Sequence, residues 1–450
     1  MPLPPPVIVV PGITASYLND EYPVTPEVVW SVVTRRFERI RLHPDKAPRQ
    51  ARPCYEANQP ARIVPGQVFE IAYKELIAEL RHNLSRREDE PVPVYQFSYD
   101  WRMPLNSIQD TLADFVNEVI DRTCLMRHYA EDGYAATPKV NLLGHSMGGL
   151  VIAGYLASHA GDAAGRIKDV CTLATPFRGS FEAIVKMLTG TADLGGGSPS
   201  SREREAARVM PSLYHLLPSI KGRGWIDIDP DLGDSIFQPE VWQASILDTI
   251  REYVRLYAVE PGNKARRSEQ ADRLIAGLLK AADSHRKTIE KLDLAAVGLK
   301  PENWLAVVGI GSRTRVRMAI RKDRSGKPEF VLTSDDRLNH FDPKAPEAKD
   351  GAMSGDGTVP FEGAVPGFLA REHLVCVTPA DYGYWEWQDR ATTQVGGFHG
   401  ILPNMNLIHR LIIRHFTKSP DPHKNTWGLS APGVAKADWK PPMSLRHGKP

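Results

Sequence analysis

Short hydrophobic runs, several of them unbroken, set the rhythm of this chain: Val7–Val10, Val94–Phe97, Val140–Leu143, Val170–Leu173, Leu305–Val308 and Leu374–Val377. Runs of this length without polar alternation suit strands that are covered on both faces. Helical stripes separate them. Ile71, Leu76, Ile77, Leu80 and Leu84 form one, and Ile108, Leu112, Phe115, Val116, Val119 and Ile120 form a cleaner one. Met405, Ile408, Ile412 and Phe416 predict a closing helix after the last run. Strands and helices in alternation predict an α/β chain built on a mainly parallel, doubly wound sheet.

Two segments break the rhythm. Leu18 to Pro65 is rich in Pro and Arg, with Trp30, Phe37 and Tyr55 spaced through it. Phe177 to Pro301 is longer; it contains a glycine-rich stretch at Gly195–Ser201, an aromatic-aliphatic stretch at Tyr214–Leu217 and a charged helix near Lys264–Leu292. Segments this large serve as lids, caps or binding surfaces more often than as plain loops. The glycine-rich stretch lacks the Gly-Lys-Ser/Thr ending of a phosphate loop and reads as a hinge. The expected organisation is a first strand and loop (1–17), an interfacial insertion (18–65), core (66–176), a cap or lid (177–301), core again (302–417) and a tail (418–450).

Composition narrows the function classes. The 450 residues are 42% hydrophobic and 24% charged, and 56 Lys+Arg against 54 Asp+Glu leave a net charge of +2. That balance argues against nucleic acid as a main partner. The tail carries six Lys/Arg, two Asp and six prolines, and it reads as extended or loosely docked, with Trp427 and Trp439 as anchors. The start, Met1-Pro2-Leu3-Pro4-Pro5-Pro6, has no basic n-region, and no apolar stretch approaches 18 residues. A cytoplasmic or peripheral-membrane location is expected, with any export by a route lacking a cleaved signal. Cys54, Cys124, Cys171 and Cys376 lack metal-ligand spacing and read as free, mostly buried thiols. No metal or cofactor is implied.

The chemistry sits between the third run and the helix after it. Gly144-His145-Ser146-Met147-Gly148 follows Val140–Leu143 and precedes the helical pattern from Leu150 to Leu156. Strand, Gly-x-Ser-x-Gly, helix is the nucleophile elbow of serine hydrolases. A serine at so sharp a turn is strained, and neighbours without Cβ let strand and helix approach. Ser146 is thus the candidate nucleophile, and the Met147 N–H a candidate oxyanion donor.

A nucleophilic serine needs a base, and the base an acid to hold its tautomer. The chain order Ser, Asp/Glu, His favours Asp356, in Gly355-Asp356-Gly357-Thr358-Val359-Pro360, and His399, in Gly396-Gly397-Phe398-His399-Gly400. Rivals remain: His340, His373, His409 and His415 for the base, and Asp100, Asp335, Asp336, Asp342 and Asp350 for the acid. A second oxyanion donor is expected from the loop Pro11-Gly12-Ile13-Thr14 after the first strand, with the Ile13 N–H as candidate.

Several motifs together carry a family resemblance. Val10-Pro11-Gly12-Ile13, Ser98-Tyr99-Asp100-Trp101-Arg102, Gly144–Gly149, Ala174-Thr175-Pro176-Phe177-Arg178-Gly179 and Gly355–Val359 stand in order along the chain. So do Pro211-Ser212-Leu213-Tyr214 and Leu216-Leu217-Pro218. The set, spanning roughly residues 7 to 416, resembles the lecithin:cholesterol acyltransferase and lysosomal phospholipase family of α/β-hydrolases, including its bacterial members. The resemblance implies Ser146 as nucleophile, Asp356 as acid, His399 as base, and Ile13 and Met147 as oxyanion donors. It assigns Tyr99, Asp100 and Trp101 to the wall of the site. It further implies an acyl-ester hydrolase or transacylase for lipid esters, glycerophospholipids first, met at a membrane surface. The alternatives are a carboxylesterase for small soluble esters and, from another class, a catalytically silent binding module.

Overall fold

Each of the six hydrophobic runs becomes a strand of one sheet. In the computed structural model, which describes residues 3–31, 33–45, 55–57, 60–190, 200–219, 225–259, 263–333, 337–338, 354–383, 386 and 397–448, these are β1 (Val7–Val10), β2 (Val94–Gln96), β3 (Val140–His145), β4 (Ile167–Leu173), β5 (Trp304–Gly309) and β6 (Val375–Val377). They lie in the order β6-β5-β4-β3-β1-β2, and every neighbouring pair is parallel. Val9 of β1 stands level with Gln96 of β2 and Leu143 of β3. This is an α/β-hydrolase sheet.

The flanking helices explain why the strands are apolar on both faces. Those that shape the cores are α1 (Glu70–Leu84), α2 (Leu105–Cys124), α3 (Met147–Ser158), α4 (Glu182–Thr189), α5 (Ser201–Arg208), α6 (Pro211–His215), α7 (Ala244–Tyr257), α8 (Lys264–Glu290) and α9 (Asn406–Thr417). Ile8, Val10, Leu142 and Val308 point into a core shared with α2, α3 and α8. Val7, Val9, Leu143 and Val307 point the other way, into a core shared with α1 and α9. Period-two alternation therefore delivers side chains to two dry layers, each buried Val, Leu or Ile contributing about 1.5–3 kcal/mol. The stripe expected on α1 shifts slightly: Ile71 is 61% exposed, while Ala72 and Tyr73 take its place inside.

Residues 177 to 301 carry α4 to α8, and α8 packs against α3, α6 and α7. A strand in this segment, Ile226–Ile228, pairs with Met318–Lys322 of a hairpin completed by Pro328–Val331. That hairpin lies beyond β5 in sequence, and its short, mixed strands left no hydrophobic run to announce it. A second small sheet, Ser16–Asp20 between Glu27–Trp30 and Ile63–Val68, is antiparallel. The expected hinge at Gly195–Ser201 falls mostly outside the described residues, which resume at Ser200; the Ser200 side chain accepts from the Glu203 N–H and caps α5.

The tail is docked, not loose. Leu429 and Cys376 exchange backbone hydrogen bonds of 2.8 and 2.9 Å, covering the edge strand β6. The Trp427 indole donates to Asp381 (2.7 Å) and the Trp439 indole to the Leu374 carbonyl (2.8 Å). Cys124 lies in α2, while Cys171 and Cys376 are buried thiols in β4 and β6; Cys54 is outside the described residues. Among the described residues no helix is long and apolar enough to cross a membrane.

Candidate active site

Ser146 occupies the turn between β3 and α3 with φ 54° and ψ −127°, a conformation that costs a non-glycine residue about 1–3 kcal/mol. Its neighbours show why the turn needs glycine. A Cβ on Gly148 would fall 2.1 Å from the Val10 carbonyl oxygen, and one on Gly149 would fall 1.9 Å from Thr175 Oγ1. Gly12 passes close enough that its own Cβ would sit 3.1 Å from that of Ser146. The Ser146 N–H donates to the Leu173 carbonyl (2.8 Å), tying the turn to β4.

Asp356 and His399 converge on this serine from two separate loops. Asp356 is 1% exposed and rests over the end of β5, where a Cβ on Gly309 would crowd it at 2.7 Å. Its Oδ1 accepts from the N–H groups of Thr358 (2.9 Å) and Val359 (2.7 Å), which aims Oδ2 outward. His399 Nδ1 lies 2.7 Å from Oδ2, and the His399 N–H also donates to the Asp356 carbonyl at 3.1 Å. A carboxylate only accepts, so the imidazole proton sits on Nδ1, and the bare Nε2 accepts from Ser146 Oγ at 2.8 Å.

The rival groups are engaged elsewhere. His373 contacts the Lys440 carbonyl (2.8 Å), and His409 the Pro403 carbonyl (2.8 Å). His415 faces the carbonyls of Val170 and Asn303 at 3.1 and 3.2 Å. Asp100 is bound by Arg102 through Oδ1 (2.8 Å) and Oδ2 (2.6 Å). His340, Asp335, Asp336, Asp342 and Asp350 lie outside the described residues.

Ser146 and His399 open into a cleft of about 110 Å³. Ile13 lines it together with Gly12 and Thr14, and Phe69, Ala72, Leu213, Leu216, Val359 and Ile401 make its walls largely apolar. Met147 opens α3 with its side chain in the core, so only its backbone can face the site; the first N–H groups of a helix have no acceptor within it. Two charged residues, Glu182 and Lys186 on α4, also reach the cleft, and Lys186 pairs with the buried Glu203 at 3.0 Å.

Tyr99, Asp100 and Trp101 require a correction: none is among the residues lining the cleft. The chain leaving β2 turns them inward. The Tyr99 hydroxyl donates to the Pro11 carbonyl (2.7 Å), and the Trp101 indole to the Ser16 carbonyl (2.9 Å). They brace the loop after β1 from behind. Arg102 joins them, fully buried, bonding Glu56 (2.9 Å), Asp100 and the Ile40 carbonyl (2.9 Å). Tyr73 and His145 are among the cleft residues not singled out from the sequence. His145 stood inside the elbow motif, and Tyr73 within the α1 pattern, where either reads as ordinary core.

Comparison with known proteins bears on family and fold. The lecithin:cholesterol acyltransferase family profile matches residues 66–253. No curated protein matches the chain significantly. Among solved structures, a chain of the Tle4–Tli4 complex superposes with a TM-score of 0.57 at 16% identity, covering 94% of this chain and 100% of that one, a likeness that shows the fold. Residues 66–253 are thus similar to the lecithin:cholesterol acyltransferase family, in a chain with an α/β-hydrolase fold.

Proposed function

We propose that the protein is a serine acyl-ester hydrolase or transacylase acting on lipid esters, glycerophospholipids in particular, taken from a membrane surface. Family and fold support a lipid-ester hydrolase or acyltransferase. The observation that carries the finer reading is the Ser146–His399–Asp356 relay, with contacts of 2.8 and 2.7 Å, at the floor of an apolar cleft. In this reading His399 Nε2 takes the Ser146 proton as Oγ attacks the acyl carbonyl, and Asp356 stabilises the imidazolium. The N–H groups of Ile13 and Met147 hold the tetrahedral oxyanion. His399 then protonates the departing alcohol, leaving an acyl-serine, and activates water or an acceptor alcohol to release the acyl group. The segment over the cleft acts as a cap, its apolar walls receiving the acyl chain.

The test compares kcat/KM for two- to four-carbon soluble esters with that for phospholipid in vesicles, using Ser146→Ala as blank. Ser146-dependent release of fatty acid, or its transfer to an added alcohol, is expected, with at least about a thousandfold loss in the variant. Faster turnover of the short esters, with no release from vesicles, makes the protein a carboxylesterase. Absence of Ser146-dependent turnover on either substrate makes it a silent binding module.

A further inference from the structure

A hydrogen-bonded chain runs beneath the cleft and joins the loop after β1 to the loop of His399. The Gly12 N–H donates to Tyr73 Oη at 2.9 Å. Tyr73 Oη lies 2.6 Å from His145 Nδ1, and His145 Nε2 lies 3.0 Å from the His399 carbonyl oxygen. Tyr73 is 1% exposed and His145 5%.

The direction of every bond in the chain is determined. The His399 carbonyl can only accept, so His145 carries its proton on Nε2 and donates. A neutral imidazole protonated there has a bare Nδ1, so the Tyr73 hydroxyl must donate to it. Its oxygen is then left to accept from Gly12. One tautomer and one rotamer satisfy all groups at once. Burial, and secondarily the neighbouring His399, depress the His145 pKa to about 3, so the imidazole keeps this neutral form at ordinary pH. Burial likewise raises the Tyr73 phenol, which keeps its proton.

We infer that Tyr73 and His145 are positioning residues that hold the oxyanion loop at Gly12–Ile13 and the base loop at His399 in a fixed relation across Ser146. The inference rests on the proposed catalytic role of Ser146, His399 and Ile13. The physical reason is that both loops leave different strand ends and share no backbone pairing with each other among the described residues. His145 is itself the residue before the nucleophile, so the chain references both loops to the elbow. Its ring centroid lies 5.2 Å from that of His399, close enough for displacement to be felt at the base. Transition-state stabilisation depends on donor placement at the ångström scale, and a misplacement of that size can cost about a hundredfold.

The experiment measures Ser146-dependent hydrolysis of a p-nitrophenyl ester by the full chain, Tyr73→Phe, His145→Gln and the double variant. Phenylalanine keeps the ring packing and removes both bonds of the hydroxyl; glutamine retains an amide donor for the His399 carbonyl and removes the imidazole. Each single variant is expected to lose ~10–100-fold in kcat with KM within about twofold, and the double variant to be no worse than the weaker single. A melting temperature that falls while kcat stays within about twofold assigns the chain a structural role and overturns the inference, as does a loss carried by KM. If Tyr73→Phe fails to melt cooperatively, His145→Gln decides by the same criteria, and failure of both to fold also overturns it. Turnover by the parent chain that survives Ser146→Ala is a different result, refuting the active-site reading itself and this inference with it.

Discussion

Acidification should unfold this protein through histidines buried in neutral form. His145, His215 and His415 are 5%, 3% and 0% exposed. Burial is the main cause that holds the first two down to about 3 and His415 to about 4; His399, Arg286 and Lys418 respectively add repulsion. In the unfolded chain each titrates near about 6.5. Because the folded values lie below the unfolded one, the stabilisation is complete above about pH 6.5 and is lost as pH falls toward the folded values. At about pH 5 each unfolded imidazole is nearly fully protonated while each folded one stays neutral, a cost of about 2 kcal/mol apiece. That figure barely depends on how far under 4 the folded value lies. These three sites give about 6 kcal/mol, comparable with the whole stability of many domains, and His285 and His409, also held down mainly by burial, add to it. Glu56 opposes the trend, since burial raises its pKa; Asp20 and Asp421, both lowered, lose their contribution only in stronger acid. The assay is urea unfolding at several pH values between about 7 and about 5. A slope of at least about 4 kcal/mol per pH unit is expected near the acid end, from about 1.4 for each of these three histidines. His415→Gln keeps an amide near the Val170 and Asn303 carbonyls but cannot titrate, so it should lower the slope by about 1.4 kcal/mol per pH unit. A stability flat to about 1 kcal/mol over this range would refute the reasoning.

Other expectations follow from single contacts. Arg102→Ala strands Glu56 and Asp100 without their buried cation and should cost about 3–5 kcal/mol in urea unfolding; a loss under about 1 kcal/mol would show the cluster to be solvated. Gly148→Ala drives a Cβ into the Val10 carbonyl and should abolish soluble, active protein, whereas Gly161→Ala, with nothing within 4 Å, should behave as the parent; equal yields and activities for the two would contradict the packing at the elbow. Lengthening the acyl chain of a soluble ester should raise kcat/KM by about fourfold per methylene, from about 0.8 kcal/mol each, until the cleft is full. A flat response from four to ten carbons would mean that the acyl chain does not enter the apolar cleft.

How much was legible in the residues varies with the range over which each feature is specified. The six strands were visible because a parallel strand buried on both faces must be apolar at consecutive positions, as at Val7–Val10 and Trp304–Gly309. The elbow was visible because Ser146 cannot take a φ of 54° between strand and helix without glycines at 144, 148 and 149, a wholly local requirement. Asp356 and His399 were recognisable as candidates through chain order and glycine-flanked loops, but a 2.7 Å contact between residues 43 positions apart belongs to the fold alone. Tyr99 and Trp101 show the opposite failure: aromatic residues in a motif suggested a wall, and only packing reveals that they back the oxyanion loop from behind. Tyr73, His145 and Arg286 gave no local sign of their roles. Arg286 lies in a charged helix, yet it is buried and bonds the carbonyls of Pro176, Phe177, His215 and Leu217. A hydrophobic pattern encodes which face of an element is dry, and a strained turn encodes its glycines. Which buried polar atom meets which partner depends on segments far apart in sequence arriving at one place, and that is decided only when the layers close.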